Sequence, residues 1–174
     1  MKPDLYPVEL IAPKRLFLMP RPRSGDSLPD EVDAWHAARI DLVVSLLEPD
    51  EALQLGLDQE ARLCARQWIE FLSFPITDHG VPTSLPAVAS LAKRITEALR
   101  DDLSVAIHCR AGIGRTGLVA ACVLHELDVP FDQIFAALSK ARGLSVPDTL
   151  EQVEWVQRYC AQGPAQRVAL RAVR

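Results

Sequence analysis

The residues best suited to chemistry stand together at 108–117, in the run His-Cys-Arg-Ala-Gly-Ile-Gly-Arg-Thr-Gly. A cysteine thiolate is a nucleophile, and an arginine guanidinium binds phosphate oxygens in a bidentate fork. Glycines allow the backbone to approach a ligand closely, so the amides from Arg110 to Arg115 are predicted to converge on an anion. These residue types therefore predict a phosphate-binding loop in which Cys109 is the nucleophile and Arg115 closes the ring.

This loop is predicted to join a strand to a helix. Residues 103–107 form a short apolar run, and residues 116–127 are apolar on every face, as in a buried helix. The first backbone N–H groups of a helix have no partner within it and carry the positive end of its dipole, which favours an anion and a thiolate. Thr116 is expected to donate its hydroxyl to the Cys109 sulfur, and His108 to orient the loop from behind.

The pattern His-Cys-x-x-Gly-x-x-Arg-Thr-Gly resembles the signature of the cysteine-dependent protein tyrosine and dual-specificity phosphatases, and every fixed position of that signature is filled. The resemblance implies a compact, bacterial-type member of that family. It assigns Cys109, Arg115, Thr116 and His108 to the catalytic centre. The predicted phosphate-binding backbone is that of Arg110, Ala111, Gly112, Ile113, Gly114 and Arg115.

Three other phosphate sites share parts of this pattern. The segment from Gly112 to Gly117 matches the dinucleotide fingerprint G-x-G-x-x-G, but that fold needs several further strands, and the rest of this chain has helical patterns. A nucleotide P-loop requires a lysine after its last glycine, which is absent. The low-molecular-weight phosphatases share the C-x₅-R spacing, but their cysteine lies close to the N-terminus, and here it is residue 109.

A general acid is predicted on a separate loop, at Asp78. Pro75, Gly80 and Pro82 make this segment an irregular connection between a strand and a helix. The run Pro-Ile-Thr-Asp at 75–78 resembles the Pro-Ile-x-Asp acid loop of the same family. That resemblance implies that Asp78 protonates the leaving oxygen and later activates water; the alternative is that Asp78 only initiates a turn.

Residues 145–152 resemble a weaker family element, Gln-Thr-x-x-Gln, which helps to place the hydrolytic water. Thr149 and Gln152 match it, whereas Asp148 replaces the first glutamine, so water positioning by Gln152 and Asp148 is the least specific of these predictions. The alternative is a helix start, because Asp148 or Thr149 followed by Glu151 fits an N-terminal capping pattern.

Composition places the chain among ordinary globular proteins. Its 174 residues, 49% of them hydrophobic, predict one domain spanning residues 1–174, with peripheral tails at 1–6 and 164–174. The net charge of −4, without a basic aromatic cluster, argues against nucleic acid as a partner. No apolar run is long enough to span a membrane, and the proline and aspartate near the N-terminus do not fit a secretion signal.

Cysteine and histidine spacing predicts neither a disulfide framework nor a metal site, and no cofactor is implied. A catalytic thiolate requires a reducing compartment, so we expect a cytoplasmic protein.

Alternating patterns predict an α/β fold with a mixed, mostly parallel sheet of four or five strands and helices on both faces. Strands are expected at 8–11, 15–19, 41–46, 68–74 and around Val105. Helices are expected at 29–38, 50–55, 58–67, from about 83 to 100, and at 116–127, 131–142 and 149–160. Nucleophile and acid would then meet at the carboxyl ends of the strands, where open α/β sheets bind ligands.

The predicted substrate is phosphotyrosine, or phosphotyrosine with phosphoserine and phosphothreonine, in proteins. A small phosphorylated metabolite, a phosphoinositide and an RNA 5′-phosphate are alternatives, since Arg110 adds a cation inside the loop. A further alternative is a non-catalytic phosphate-binding module. Arg21 and Arg23, two arginines after an early strand, either line the substrate entrance or are solvated on a rigid surface loop.

Overall fold

A five-stranded sheet forms the centre of the structure, a computed structural model that describes residues 2–11 and 15–162. The strands are β1 (Tyr6–Pro7), β2 (Leu16–Met19), β3 (Leu42–Ser45), β4 (Glu70–Ser73) and β5 (Val105–His108). Their order across the sheet is β1-β2-β5-β3-β4. Strand β1 is antiparallel to β2, and all other neighbouring pairs are parallel. The predicted α/β class and the mostly parallel sheet are therefore confirmed.

Seven α-helices surround this sheet in the described part of the chain. They are α1 (Leu28–Ala37), α2 (Pro49–Gln54), α3 (Glu60–Arg66), α4 (Leu85–Arg100), α5 (Gly114–Glu126), α6 (Phe131–Arg142) and α7 (Leu150–Ala161). Helix α4 begins after Ser84, whose side chain accepts a hydrogen bond from the Ala87 N–H at 3.3 Å. Every residue from Gly114 to Leu124 is buried, which confirms that α5 is the central, fully enclosed helix.

Alternate strand residues pack into two separate cores, one on each face of the sheet. In β3, Leu42 and Val44 contribute to the core beneath α4–α7, whereas Val43 joins the core that includes residues of α1 and α3. This two-residue period is the geometry of a strand covered on both faces. Strand β5, between β2 and β3, is buried along its whole length, and the loop that follows it opens at the middle of one sheet edge.

The N-terminal strand differs from its prediction. Residues 8–11 were expected to form a strand, but β1 is Tyr6–Pro7, and the Ile11 N–H donates to the Val8 carbonyl at 3.2 Å to close a turn. Val8 is fully buried, and its N–H donates to Leu16 O in β2 at 2.9 Å, so the pairing ends at Val8 and the chain then turns. Tyr6 thus lies in the sheet rather than in a peripheral tail. The predicted C-terminal tail, 164–174, lies outside the described residues.

Within residues 2–11 and 15–162, no helix is both long enough and apolar enough to cross a membrane.

Candidate active site

The nucleophile loop lies between the end of β5 at His108 and the start of α5 at Gly114. Cys109 is 3% exposed and lies at the bottom of a cavity of about 80 Å³. The cavity is lined by residues of three segments: Asp78 and His79; Cys109, Arg110, Ala111, Gly114 and Arg115; Asp148 and Gln152. The fold thus brings the predicted nucleophile, acid, phosphate ligands and water-positioning residues to one place.

The carbonyl groups of residues 109–112 all face partners outside the cavity. Nδ1 of His108 lies 3.3 Å from Cys109 O; the Arg21 N–H donates to Arg110 O at 3.1 Å; and the guanidinium of Arg142 donates to Ala111 O at 3.1 Å and to Gly112 O at 2.9 Å. In a trans peptide the next N–H points away from the carbonyl, so the N–H groups of residues 110–113 point away from these partners. Successive amides turned to one side form an anion-binding concavity.

Gly112 is required by both conformation and space. Its φ of +69° lies in the left-handed region, and a Cβ placed on it would lie 2.3 Å from the backbone oxygen of Met19. The loop therefore packs directly against the backbone at the end of β2. Gly114 approaches the third segment of the site less closely, since a Cβ there would lie 2.9 Å from Gln152 Oε1.

Arg115 is buried and donates three hydrogen bonds. Glu51, on α2, accepts two hydrogen bonds from the guanidinium, at 2.7 and 2.9 Å, and the Ile76 carbonyl accepts a third at 3.0 Å. Burial acts to lower the pKa of Arg115, but its hydrogen bonds to Glu51 and the negative charges of Cys109, Glu51 and Asp78 outweigh that effect, so the pKa of Arg115 is raised. The arginine is thus a fixed cation beside the nucleophile.

Asp78 also contacts this guanidinium, at the Nη2 atom that donates to Glu51. Its Oδ1 lies 2.8 Å from Arg115 Nη2, and its side chain is 41% exposed at the mouth of the cavity. The acid loop that carries it is anchored before and after this residue. The Ile76 N–H donates to Leu46 O at 3.1 Å, and the Gly80 N–H donates to Thr77 O at 2.8 Å in a tight turn. The carboxylate is therefore both solvent-accessible and directed at the phosphate-binding cation.

Gln152 joins the start of α7 to the acid loop. Its Oε1 accepts from the N–H groups of Asp148 and Thr149, at 3.2 and 3.3 Å, and its Nε2 donates to Gly80 O at 3.1 Å. With the Thr149 side chain it completes a capping box, which confirms the alternative interpretation of this segment as a helix start. Asp148 lines the cavity, with Oδ2 3.7 Å from Nδ1 of His79. Water positioning by Gln152 or Asp148 stays a prediction.

His108 and Thr116 are fully buried behind the loop. Oε1 of Glu60, on α3, lies 2.9 Å from Nε2 of His108, although the two atoms lack the alignment of a regular hydrogen bond. Among the described residues, Thr116 Oγ1 has no hydrogen-bond partner. The predicted donation from Thr116 to the Cys109 sulfur is thus not formed in this geometry and stays a prediction.

The two early arginines do not line the cavity. Arg23 pairs with the buried carboxylate of Glu31 at 2.7 Å, and Arg21 contributes its backbone N–H to the nucleophile loop. A role of either side chain at the substrate entrance stays a prediction.

Three residues of the site were not identified from the sequence: Glu51, Glu60 and Arg142. Each acts through a partner far away in the chain, and Arg115 and Glu51, for example, are 64 residues apart. A proline-started acidic segment predicts only the beginning of a helix for Glu51. No local pattern marks Glu60 or Arg142, so only their contacts reveal them.

A family model and two related proteins match this chain in sequence. A sequence model of the family described as "Polymorphic toxin system, DSP-PTPase phosphatase" matches residues 18–127. The mouse protein tyrosine phosphatase domain-containing protein 1 is 37% identical over 93 residues, which are 49% of this chain and 12% of the mouse protein. Human cyclin-dependent kinase inhibitor 3 is 30% identical over 87 residues, 49% of this chain and 41% of the human protein. The chain thus matches well under half the length of these relatives.

Among solved structures, kinase-associated phosphatase with a serine in place of its catalytic cysteine superposes with a TM-score of 0.79. At 19% identity, this match covers 92% of the present chain and 96% of the other, so it shows a shared fold. The family match begins within β2 and ends directly after α5. It therefore includes both the acid loop and the nucleophile loop. This chain belongs to the cysteine-dependent protein tyrosine and dual-specificity phosphatase family.

Proposed function

We propose that this chain hydrolyses phosphate monoesters of proteins through a phosphocysteine intermediate. One arrangement carries the proposal: Cys109, the guanidinium of Arg115 and the carboxylate of Asp78 line one cavity, and the last two are in contact at 2.8 Å. A module that only binds phosphate needs the cation and the amides. It has no use for a nucleophile and a proton donor in the same cavity.

The reaction takes two displacements. In the first, the Cys109 thiolate attacks phosphorus, the bond from phosphorus to the ester oxygen breaks, and Asp78 gives that oxygen a proton. In the second, water gives a proton to Asp78 and attacks phosphorus, the phosphorus–sulfur bond breaks, and inorganic phosphate leaves. Splitting one displacement in two is covalent catalysis. Arg115 and the loop amides stabilise the charge on the equatorial oxygens in both steps.

The proposed substrate is phosphotyrosine, alone or with phosphoserine and phosphothreonine. Because Cys109 is 3% exposed, the phosphorus atom of the substrate must enter the cavity to reach the sulfur. The phosphate of phosphotyrosine lies further from the peptide backbone than that of phosphoserine or phosphothreonine, which favours phosphotyrosine. The names of the related proteins, a protein tyrosine phosphatase domain and a kinase-associated phosphatase, support a phosphoprotein. We further propose a reducing compartment such as the cytoplasm, since the thiol must stay unoxidised.

Hydrolysis of an aryl phosphate, without added metal and with orthovanadate as inhibitor, tests the chemistry. We expect activity in the native chain, none above background in Cys109→Ser, and native activity in Cys160→Ser, a matched control on α7 outside the cavity. A phosphocysteine adduct should be trapped on Cys109 after rapid acid quench. Activity that survives in Cys109→Ser, or that requires a divalent metal, would show the mechanism to be wrong.

A substrate panel then separates the alternatives. Phosphotyrosine peptides are expected to give the highest kcat/KM, ahead of phosphoserine and phosphothreonine peptides, phosphoinositides, small phosphate esters and RNA 5′-phosphates. Tight binding of a phosphopeptide with no turnover by the native chain would support the non-catalytic module instead.

A further inference from the structure

Glu60 is a buried acid to which the proposed mechanism assigns no step. It is 2% exposed, at the first residue of α3, on the opposite side of β5 from the core that α4–α7 cover. Burying a carboxyl group is costly unless a partner compensates for it. Its ion-pair contact in the described residues is Nε2 of His108, at 2.9 Å but without the alignment of a regular hydrogen bond. Burial and the charge of Glu60 also raise the pKa of the Cys64 thiol, to about 12.

His108 connects this acid to the nucleophile. Its ring is completely buried, with Nε2 facing the Glu60 carboxyl group and Nδ1 facing the Cys109 carbonyl oxygen at 3.3 Å. A nitrogen lone pair directed at a carbonyl oxygen is repulsive, so the Nδ1 contact is favourable only when Nδ1 carries a hydrogen. In histidine, the partner of one ring nitrogen decides the orientation of the ring and the role of the other.

We propose that Glu60 is a positioning residue, which holds the His108 ring so that Nδ1–H donates to the carbonyl of Cys109. That hydrogen bond fixes the peptide between Cys109 and Arg110. Because the peptide is trans, the Arg110 N–H is then held on the opposite side, in the row of amides that bind phosphate. If the His108 ring were turned over, its carbon atoms would face the Glu60 oxygen and the Cys109 carbonyl oxygen. The buried carboxyl group and the carbonyl would then have no partner in this ring.

The other carbonyls of the loop need no such relay. Residues 110–112 receive their donors directly, from the Arg21 backbone and the Arg142 guanidinium. The side chain available to donate to the Cys109 carbonyl is that of His108. A second group must therefore fix which edge of that histidine faces the loop, and Glu60 is in contact with the opposite edge.

Two variants at this position separate positioning from burial. Glu60→Met keeps the length of the side chain but removes its hydrogen-bonding groups, whereas Glu60→Gln keeps an amide that either donates to or accepts from Nε2. Glu31→Met is the matched control, because Glu31 is also buried, at 4% exposure, and has an ion-pair partner, Arg23, away from the loop. Both methionine variants are expected to lose stability, measured by urea unfolding.

The decisive measurement is protection of Cys109 from iodoacetamide by inorganic phosphate, which reports the loop without requiring turnover. We expect the half-protecting phosphate concentration to rise about tenfold or more in Glu60→Met, to stay within about threefold of native in Glu60→Gln, and to be unchanged in Glu31→Met. Equal losses of protection in Glu60→Met and Glu31→Met, or no rescue by Glu60→Gln, would overturn the inference.

The role of Glu60 rests on the proposed function. Because the protection measurement requires no turnover, it tests the role of Glu60 separately from the proposed activity. A native chain whose Cys109 is protected by phosphate but which hydrolyses no ester would contradict the function and leave the role of Glu60 measurable. An active phosphatase in which Glu60→Met protects like the native chain would contradict the role of Glu60 alone.

Discussion

The carboxylate of Asp78 lies 2.8 Å from the guanidinium of Arg115, so the proposed acid and the phosphate-binding cation form an ion pair. A phosphate dianion approaching Arg115 competes with Asp78 for the same N–H groups. Glu51 and the Ile76 carbonyl also accept hydrogen bonds from the guanidinium, and these contacts keep the cation in place while Asp78 moves. Asp78 is the more exposed of the two acids, so once phosphate displaces it the carboxylate can take up a proton from solvent and give it to the ester oxygen.

Replacing Asp78 by alanine should slow hydrolysis most for esters with poor leaving groups. Loss of a general acid costs about 100- to 10,000-fold in rate when the leaving oxygen is strongly basic, and much less when it leaves readily as an anion. We expect kcat for a phosphotyrosine peptide to fall far more than kcat for an activated aryl phosphate. Asp58→Ala, at an exposed position outside the cavity, is the control. Equal losses on both substrates would remove Asp78 from the acid role.

Replacing Glu51 by glutamine should weaken phosphate binding and catalysis together. The carboxylate accepts two hydrogen bonds from Arg115, and its side chain is only 13% exposed. The amide of the Glu51→Gln variant could accept only one of them, so the guanidinium would lose its fixed orientation. We expect kcat/KM to fall by about two orders of magnitude, with a parallel loss of orthovanadate affinity. Asp50→Asn changes an exposed acid on the same helix and should have little effect. Unchanged vanadate affinity in Glu51→Gln would contradict this role.

Two glycines with the same φ of +69° should respond differently to alanine. At Gly143 a Cβ meets no atom within 4 Å, so the cost is the left-handed conformation alone, about 1–2 kcal/mol. At Gly112 a Cβ would lie 2.3 Å from Met19 O, and the loop or the end of β2 must move. Urea unfolding should show a clearly larger loss for Gly112→Ala, and only this variant should lose orthovanadate binding. Similar behaviour of both variants would show that the close packing against β2 is unimportant.

Gln152→Ala should act through the acid loop. The amide oxygen is occupied by two backbone N–H groups, and Nε2 by Gly80 O, so its removal frees the segment that carries Asp78. We expect slower formation of phosphocysteine and, therefore, no burst of alcohol release in stopped-flow kinetics. A pronounced burst, with accumulated phosphocysteine, would instead support the predicted role in placing the hydrolytic water.

Cys64 should make the fold less stable in alkaline solution. Burial and the charge of Glu60 raise its pKa from 9.0 to about 12, so between these values the unfolded chain releases a proton that the folded chain retains. The contribution to stability is complete below about pH 9 and is lost as the pH rises toward 12, by at most about 1.4 kcal/mol per pH unit. The free energy of unfolding, measured in urea from pH 7 to about 11, should decline less steeply in Cys64→Ala. Parallel curves would contradict the raised pKa.

Local residue types were sufficient to predict the elements that carry the chemistry. The strand before Cys109, the buried helix after it and the loop around Asp78 are marked by apolar periodicity, glycines and prolines within a few residues of each site. The same local signals failed at residues 8–11, where a buried Val8 suggests a strand but the chain turns. Burial alone does not distinguish a strand from a turn that packs on the core.

The sequence by itself determined the α/β class and predicted the nucleophile, its cation and the acid, because each is encoded by neighbouring residues with a fixed local geometry. Tertiary structure decided what holds them. Glu51 reaches Arg115, Glu60 reaches His108 and Arg142 reaches the loop carbonyls, each across the fold. Such contacts depend on where parallel strands end and helices cross, and the pattern around one residue carries no information about a partner dozens of residues away.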